Sequence, residues 1–320
     1  MTRRRALLIA GPTASGKSAL ALRLAEALQS RGGAAIVNAD SMQIYRELPI
    51  LTAQPSAAER ARAPHYLYGA RAASEPCSAG EWAGLAAAAI DDICGRGQLP
   101  ILVGGTGLYF RALTEGMAPV PEIDPEIRAS ARQMMAQTGP EEFHARLAER
   151  DAEMARRLRP SDTQRLLRAW EVLESTGISL AEWQEKPAPP LFSGEMMQLA
   201  LMPDRKTLYD SCDARLERML LAGALREVGA FEEAARAQQL APDLPIFRAV
   251  GLAPLRAVLY GALEPEEALH QAKTATRQYA KRQLTWIRNQ MIAWNKAETK
   301  DSESIFQEIF SLIIKSGLTA

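Results

Sequence analysis

The sequence predicts an α/β fold in which a parallel sheet flanked by helices carries an all-helical insertion domain. Three observations predict it. Short, continuously apolar runs alternate with stretches of helical spacing, the pattern of strands covered on both faces. Three of these runs end in small or polar residues, at 11–18, at Asp40-Ser41 and at Gly104-Gly105-Thr106. Ligands of such sheets sit beyond the carboxyl ends of the strands, so these three termini are expected on one rim. From Met117 to about residue 192 the strand signal disappears and only helical patterning remains.

The elements follow in order. Residues 5–11 read as a buried strand. The basic start at Arg3, Arg4 and Arg5 precedes an apolar run of about six residues, too short for a signal peptide or membrane span, so a cytoplasmic protein with no membrane association is expected. Residues 18–31 have helical spacing until Gly32-Gly33 stops them, and AAIVN forms a second strand ending at Ala39-Asp40. After a loop rich in Pro and Ala, residues 78–94 make an Ala-rich helix closed by Gly95. LPILVGG is a third strand, running through Thr106 into the helix GLYFRALTEG. APVPEIDPEI opens the insertion and KPAPP, from Lys186, closes it. MMQLALM is one more strand, residues 204–296 return to helices, and the segment beyond Thr299 is expected as a peripheral helix. The expected organisation is therefore a discontinuous core, 1–116 with 193–300, a helical insertion at 117–192, and a tail helix at 301–320.

Composition narrows the function. With 320 residues the chain buries a sizeable core, and 47% apolar with 24% charged residues is ordinary for a soluble globular protein. Formal net charge is zero, so any nucleic-acid binding must come from a local patch. Cys77, Cys94 and Cys212 are widely spaced and odd in number, which argues against a disulfide framework or a zinc site. His65, His144 and His270 show no ligand spacing.

The stretch GPTASGKS, between a strand and a helix, fits the phosphate-loop pattern G-x-x-x-x-G-K-[ST]. Average residue usage gives a chance match of roughly one in a hundred for a chain this long. This makes the core P-loop NTPase-like. Gly11 and Gly16 permit close backbone approach, and Thr13, Ala14 and Ser15 complete the loop whose N–H groups wrap a phosphate chain. Lys17 neutralises phosphate oxygens and Ser18 holds Mg²⁺. A kinase or NTPase is the default occupant of such a motif. Asp40 reads either as a cleft carboxylate, general base or magnesium-side, or as a helix N-cap. Thr106 reads either as an anion contact or as the cap of the next helix.

Near the C-terminus, residues 268–297 contain six Lys or Arg and no Asp or Glu. On a helix Arg277, Lys281 and Arg288 fall within about 40°, while Tyr279 and Trp286 lie roughly opposite on a packed back; Arg282, next to Lys281 in the chain, adds to the same basic segment. A basic ridge of this kind suits a phosphate backbone, and the lack of acids distinguishes it from a solvated face of mixed sign. Arg165 and Arg168, one turn apart, extend such a track, while Ser161-x-x-Gln164 also reads as a capping box. A small-molecule kinase has no use for a polyanion surface.

GPTASGKS, NADSMQIYRELPILTAQP, LVGGTGLYFRAL, PSDTQRLLRAWEVLESTG and ATRQYAKRQLTWIRNQ together resemble, in order, the bacterial tRNA dimethylallyltransferase family, over about residues 5–295. The resemblance implies that the loop holds the diphosphate of dimethylallyl diphosphate with Mg²⁺. It implies that the acceptor is the exocyclic amine of the adenosine just 3′ of a tRNA anticodon. It makes Asp40 the general base, Thr13 a neighbour of the donor and Arg215 the active-site arginine. It places Ser41, Met42, Gln43, Thr106, Arg128 and the run Gln164, Arg165, Leu166, Leu167 and Arg168 at tRNA-facing positions, and the insertion against the anticodon stem-loop. A monomer is expected. Leu51 stands where many members have glycine, Gln54 where they have lysine, Ser211 where arginine is frequent and Leu252 where tyrosine is common. Three other readings stand beside it: a close rival, an adenylate prenyltransferase; a nucleotide or metabolite kinase, of another class; and a non-catalytic RNA-binding P-loop protein.

Overall fold

The computed structural model describes residues 4–186, 188–298 and 302–318. Arg3 of the basic start, Pro187 of the KPAPP closure, Thr299 and residues 301, 319 and 320 of the tail lie outside the described residues. The chain divides into two units, Met1–Thr114 with Leu191–Ala320, and Glu115–Pro190.

The first unit is built on a six-stranded sheet in the order β3-β2-β4-β1-β5-β6, parallel throughout. Its elements are β1 (Arg5–Ala10), α1 (Lys17–Ala27), β2 (Ala34–Asn38), α2 (Ala57–Arg62), β3 (His65–Tyr66), α3 (Ala79–Gly95), β4 (Leu99–Gly104) and α4 (Gly107–Thr114). The second unit holds α5 (Pro125–Arg150), α6 (Ala152–Arg157), α7 (Thr163–Thr176) and α8 (Leu180–Glu185). The first unit resumes with β5 (Glu195–Leu201), α9 (Arg205–Leu221), α10 (Ala224–Ala237), α11 (Leu252–Leu259), α12 (Pro265–Gln290), β6 (Asn295–Ala297) and α13 (Ser302–Lys315).

The apolar runs are continuous because both faces of the sheet are covered. On β1, Ala6, Leu8 and Ala10 enter one core while Leu7 and Ile9 enter the other, and all five are essentially inaccessible. The first core is completed by Trp82 and Ile90 of α3, Phe110 of α4 and Phe231 of α10. The second is closed by Leu20 and Leu24 of α1 with Ile305, Ile309 and Ile313 of α13. The tail helix, expected as peripheral, is thus a layer of the fold, since its isoleucines recur every fourth residue on one face. Truncating a core side chain such as Leu8 to Ala costs about 3 kcal/mol.

Three elements escape the hydrophobic pattern. β6 falls inside the stretch expected as helix, because a three-residue edge strand with exposed Asn295 and Lys296 carries no apolar signal. Helix α2 and the two-residue β3 lie in the Pro- and Ala-rich loop. Helices α2 and α3 each open with a reciprocal capping box, Ser56 with Glu59 and Ser78 with Glu81. The second unit packs around Phe143, Leu147, Leu166 and Trp170, its long α5 broken at Gly139-Pro140, with no strand among its described residues. Among the described residues no helix is long and apolar enough to cross a membrane.

Candidate active site

The rim expected from the strand ends is formed. Gly11 N–H donates to Gly104 O (3.2 Å), Ala39 N–H to Val103 O (2.8 Å) and Thr106 N–H to Ala39 O (3.3 Å), so backbone bonds join the carboxyl ends of β1, β2 and β4. Helix α1 starts directly from the loop, with Gly16 as N-cap at φ +84°, a conformation that suits only glycine without strain. Ala14 also has φ +62°, a left-handed position that costs a non-glycine residue of order 1 kcal/mol and clusters at functional sites. The loop therefore aims unpaired first-turn amides and the positive end of the helix dipole at one point, as an anion site requires.

Two cations converge there. Lys17 is 9% exposed and its Nζ donates to Pro12 O (3.1 Å). Burial pushes its pKa down to about 8, opposed by Asp40 and assisted by Arg215. Arg215, on α9, donates from Nη1 to Thr13 Oγ1 (3.2 Å); burial lowers its pKa too, and Asp40 partly offsets this. Among the described residues neither cation has a carboxylate within ion-pair distance. Buried charge is costly unless paired, so this corner is built for an anion.

Asp40 is placed by its own turn. Its N–H donates to Asn38 Oδ1 (2.8 Å) and its Oδ1 accepts from Met42 N–H (2.9 Å). The residue is not a helix cap, since residues 41–44 form a turn. It lines, with Thr13 and Arg215, a cavity of about 70 Å³ whose remaining wall includes Met42, Leu51, Leu216 and Met219. The Tyr279 ring also lines this cavity, where burial and then Asp40 raise the pKa of its hydroxyl. Tyr279 thus faces the site rather than packing away from it. The Cys212 thiol, also on the wall, is pushed up to about 11 by burial and is held inert.

The Thr106 hydroxyl accepts from Ser41 N–H (3.0 Å) and bonds Ser41 Oγ (3.3 Å), so it ties the second loop to the third. Gln43 donates its amide to Thr52 O and Ala53 O, both at 2.8 Å, so its polar head is spent on holding that loop. Leu51 is 5% exposed on the cavity wall, and Glu227 of α10 accepts from the N–H groups of Ile50 (2.7 Å) and Leu51 (2.8 Å). Gln54 donates to Tyr45 O (2.6 Å), an internal task, while Leu252 is fully buried in the first core. Ser211 lies one turn before Arg215 on α9.

Part of the basic helix is paired within the fold. Asp213, from α9, accepts two bonds from Arg277 Nη1 (2.7 and 3.0 Å), and Thr274 Oγ1 accepts from its Nη2. Lys273 pairs likewise with Glu217. The helix lacks acids of its own, but its neighbour supplies them. Lys281, Arg282 and Arg288 remain exposed, Arg282 lying over the Tyr279 ring (5.7 Å). In the second unit Leu166 has no accessible surface, so its side chain belongs to the core and not to an RNA contact; Leu167 packs beside it. Arg128 and Arg165 are exposed, and Arg168 is half-buried 3.9 Å from Glu171. The Ser161–Gln164 capping box does not form, because α7 starts at Thr163 with Asp162 as its N-cap.

The residues present fit a magnesium diphosphate. Ser15 Oγ is buried without a hydrogen-bond partner, an orphaned group inside the cradle, and Ser18 is exposed in the first turn of α1. Among the described residues no group of three His, Cys, Asp or Glu could hold a metal unaided. A hydroxyl plus phosphate oxygens is the donor set that Mg²⁺ accepts. Sequence reading missed Glu227 and Gln283, whose partners are backbone groups more than 170 residues away.

The chain is similar to known proteins over nearly its whole length. The family model described as IPP transferase matches residues 43–290. A tRNA dimethylallyltransferase of Parvibaculum lavamentivorans is 53% identical over 315 residues, covering 98% of each chain. The solved tRNA isopentenylpyrophosphate transferase of Bacillus halodurans superposes with a TM-score of 0.68 at 29% identity, covering 98% of this chain and 96% of that one. A eukaryotic dimethylallyltransferase solved acting on tRNA gives 0.76 at 26% identity, covering 93% of this chain and 74% of that one.

Proposed function

The chain belongs to the IPP transferase family, that of the tRNA dimethylallyltransferases, and we propose from that premise how its own residues serve the transfer of a dimethylallyl group to tRNA. The observation that carries the proposal is that Arg215 and Asp40 line one largely apolar cavity and both act electrostatically on the buried Lys17 of the loop. The cations and the loop amides hold the diphosphate of the donor, with the prenyl group against Leu51, Leu216 and Met219. Mg²⁺ on Ser18 and the diphosphate would neutralise part of the leaving-group charge.

The acceptor is the exocyclic amine of the adenosine 3′ of the anticodon. That base must leave its stack to reach a donor in a recessed cavity. The amine nitrogen attacks C1 of the dimethylallyl group, the C1–O bond breaks with its electron pair leaving on diphosphate, and Asp40 takes the amine proton. Lys17 and Arg215 stabilise charge that grows only as the bond breaks, so their effect falls on the transition state. Thr13 holds Arg215 in place through its hydroxyl. Exposed Lys281, Arg282 and Arg288 track the RNA backbone, with Arg128, Arg165 and Arg168 of the second unit on the anticodon stem-loop. One chain supplies Lys17, Arg215 and Asp40, which supports a monomer as the working unit, and a tRNA acceptor supports a cytoplasmic location.

The test offers purified protein with Mg²⁺ and labelled dimethylallyl diphosphate either unmodified tRNA or free AMP. Label on tRNA alone, at that adenosine, is the expected outcome. Label on AMP alone, or ATP turnover without prenyl transfer, contradicts it.

A further inference from the structure

Helix α12 presents an exposed basic face and a buried one, and one polar side chain sits on the buried face. Gln283 is 6% exposed, between Ala280 and Leu284, which are buried against α9, and Ile287, which is buried in the first core. Its Oε1 accepts from Thr13 N–H (2.8 Å) and its Nε2 donates to Gly105 O (3.0 Å). The orientation of the amide is fixed by chemistry, since a backbone N–H only donates and a carbonyl only accepts. Gln283 therefore bridges the phosphate loop and the turn after β4, the two rim segments that follow the central strands.

The surroundings leave room for this bridge. A Cβ at Gly105 would stand 2.1 Å from Gln283 Nε2, and one at Gly107 would stand 1.9 Å from the ring of Trp286, three residues further along α12. The bridge continues into the site: with its N–H anchored to Gln283, Thr13 presents its hydroxyl to Arg215. One connected path thus runs from α12 through Gln283 and Thr13 to the half-buried Arg215 guanidinium. On the other side of the helix backbone, Lys281, Arg282 and Thr285 are exposed.

We propose that Gln283 is a positioning residue that couples occupancy of the basic face of α12 to the diphosphate loop. The inference rests on the reading of 11–18 as a diphosphate cradle and of α12 as an RNA surface. RNA that settles α12 settles Gln283, and so fixes Thr13 and Arg215 in the arrangement that grips diphosphate. Coupling of this kind is reciprocal: RNA tightens diphosphate binding by the same factor as diphosphate tightens RNA binding.

Calorimetry with inorganic diphosphate and Mg²⁺, with and without saturating unmodified tRNA, reads the coupling directly. The wild type is expected to bind diphosphate at least about fivefold tighter when tRNA is present, at the lower end of usual coupling factors. Gln283→Met keeps the side-chain shape without either bond and is expected to bring that factor below about twofold. Gly105→Ala presses on the same amide from the opposite side, leaves α12 unaltered, and is expected to do likewise. In both variants the affinity for tRNA alone should stay within about twofold, while kcat falls at least about tenfold with KM for tRNA little changed. A lowered melting temperature with wild-type coupling in either variant would reduce Gln283 to a structural residue and overturn the proposal. Absence of coupling in the wild type would overturn it as well. Coupling is read from binding alone, so a wild type that couples but transfers no prenyl group would count against the activity and not against this inference.

Discussion

The phosphate loop with its neighbour Arg215 and helix α12 both collect positive charge, and they hold it in opposite ways. At the loop, Lys17 is buried and Arg215 half-buried, and neither has a carboxylate in ion-pair contact among the described residues. On α12, Lys273 and Arg277 are paired with Glu217 and Asp213 of α9, while Lys281, Arg282 and Arg288 stand in solvent. Desolvated, unpaired cations are expensive, and they act strongly on a charge that reaches them in the same dry corner. Exposed cations act by releasing counterions, cost little, and weaken with salt. The contrast separates a site suited to stabilising one leaving group, as proposed above, from a surface suited to a long polyanion.

Substitutions sharpen this contrast in order of expected effect. Asp40→Ala is expected to lower single-turnover prenyl transfer by about 10³-fold while filter binding keeps the tRNA affinity within about twofold. Retained turnover would remove the proton-acceptor role. Arg215→Ala or Lys17→Ala should reduce kcat/KM for the donor by about 10²-fold, with the salt dependence of tRNA binding unchanged. On α12, Lys281→Ala should lower tRNA affinity several-fold and reduce the log–log salt slope by about one. Arg277→Ala should leave that slope near its wild-type value and lower the melting temperature instead, because Asp213 loses its partner. Equal slopes for the two variants would erase the distinction between paired and exposed cations.

The smallest effect concerns pH. Lys17 releases its proton near pH 8 in the folded protein, whereas an unfolded lysine holds it to about 10.4. Between these values the unfolded chain binds more protons, so the contribution of Lys17 to stability rises with pH in that window. Donor affinity runs the other way and should fall as pH climbs through 8, with proton uptake on binding seen by calorimetry in buffers of different ionisation enthalpy.

What was legible in the sequence follows the range of the interactions. Residues 11–18 form a local motif whose strand-before and helix-after context travels with it, so Gly16, Lys17 and Ser18 were placed from the pattern alone. The sheet was legible because strands buried on both faces leave continuous apolar runs. The pairing of Arg277 is not legible in the sequence, because its partner Asp213 lies 64 residues away on another helix. Leu166 sits among charged neighbours in the chain, yet α7 turns it into the core. Gln283 left no trace, since its partners at Thr13 and Gly105 are main-chain atoms that any residue would carry. Edge strand β6 was hidden by its polar composition.

The central claim is that the loop grips the group being discarded rather than the group being moved. A donor labelled with ¹⁴C in the prenyl chain and ³²P in the diphosphate tests it most directly, with Mg²⁺ and unmodified tRNA. The expected result is ¹⁴C in the tRNA and all ³²P released as diphosphate, one for one. Recovery of ³²P in the acceptor would contradict it and return the loop to phosphoryl transfer.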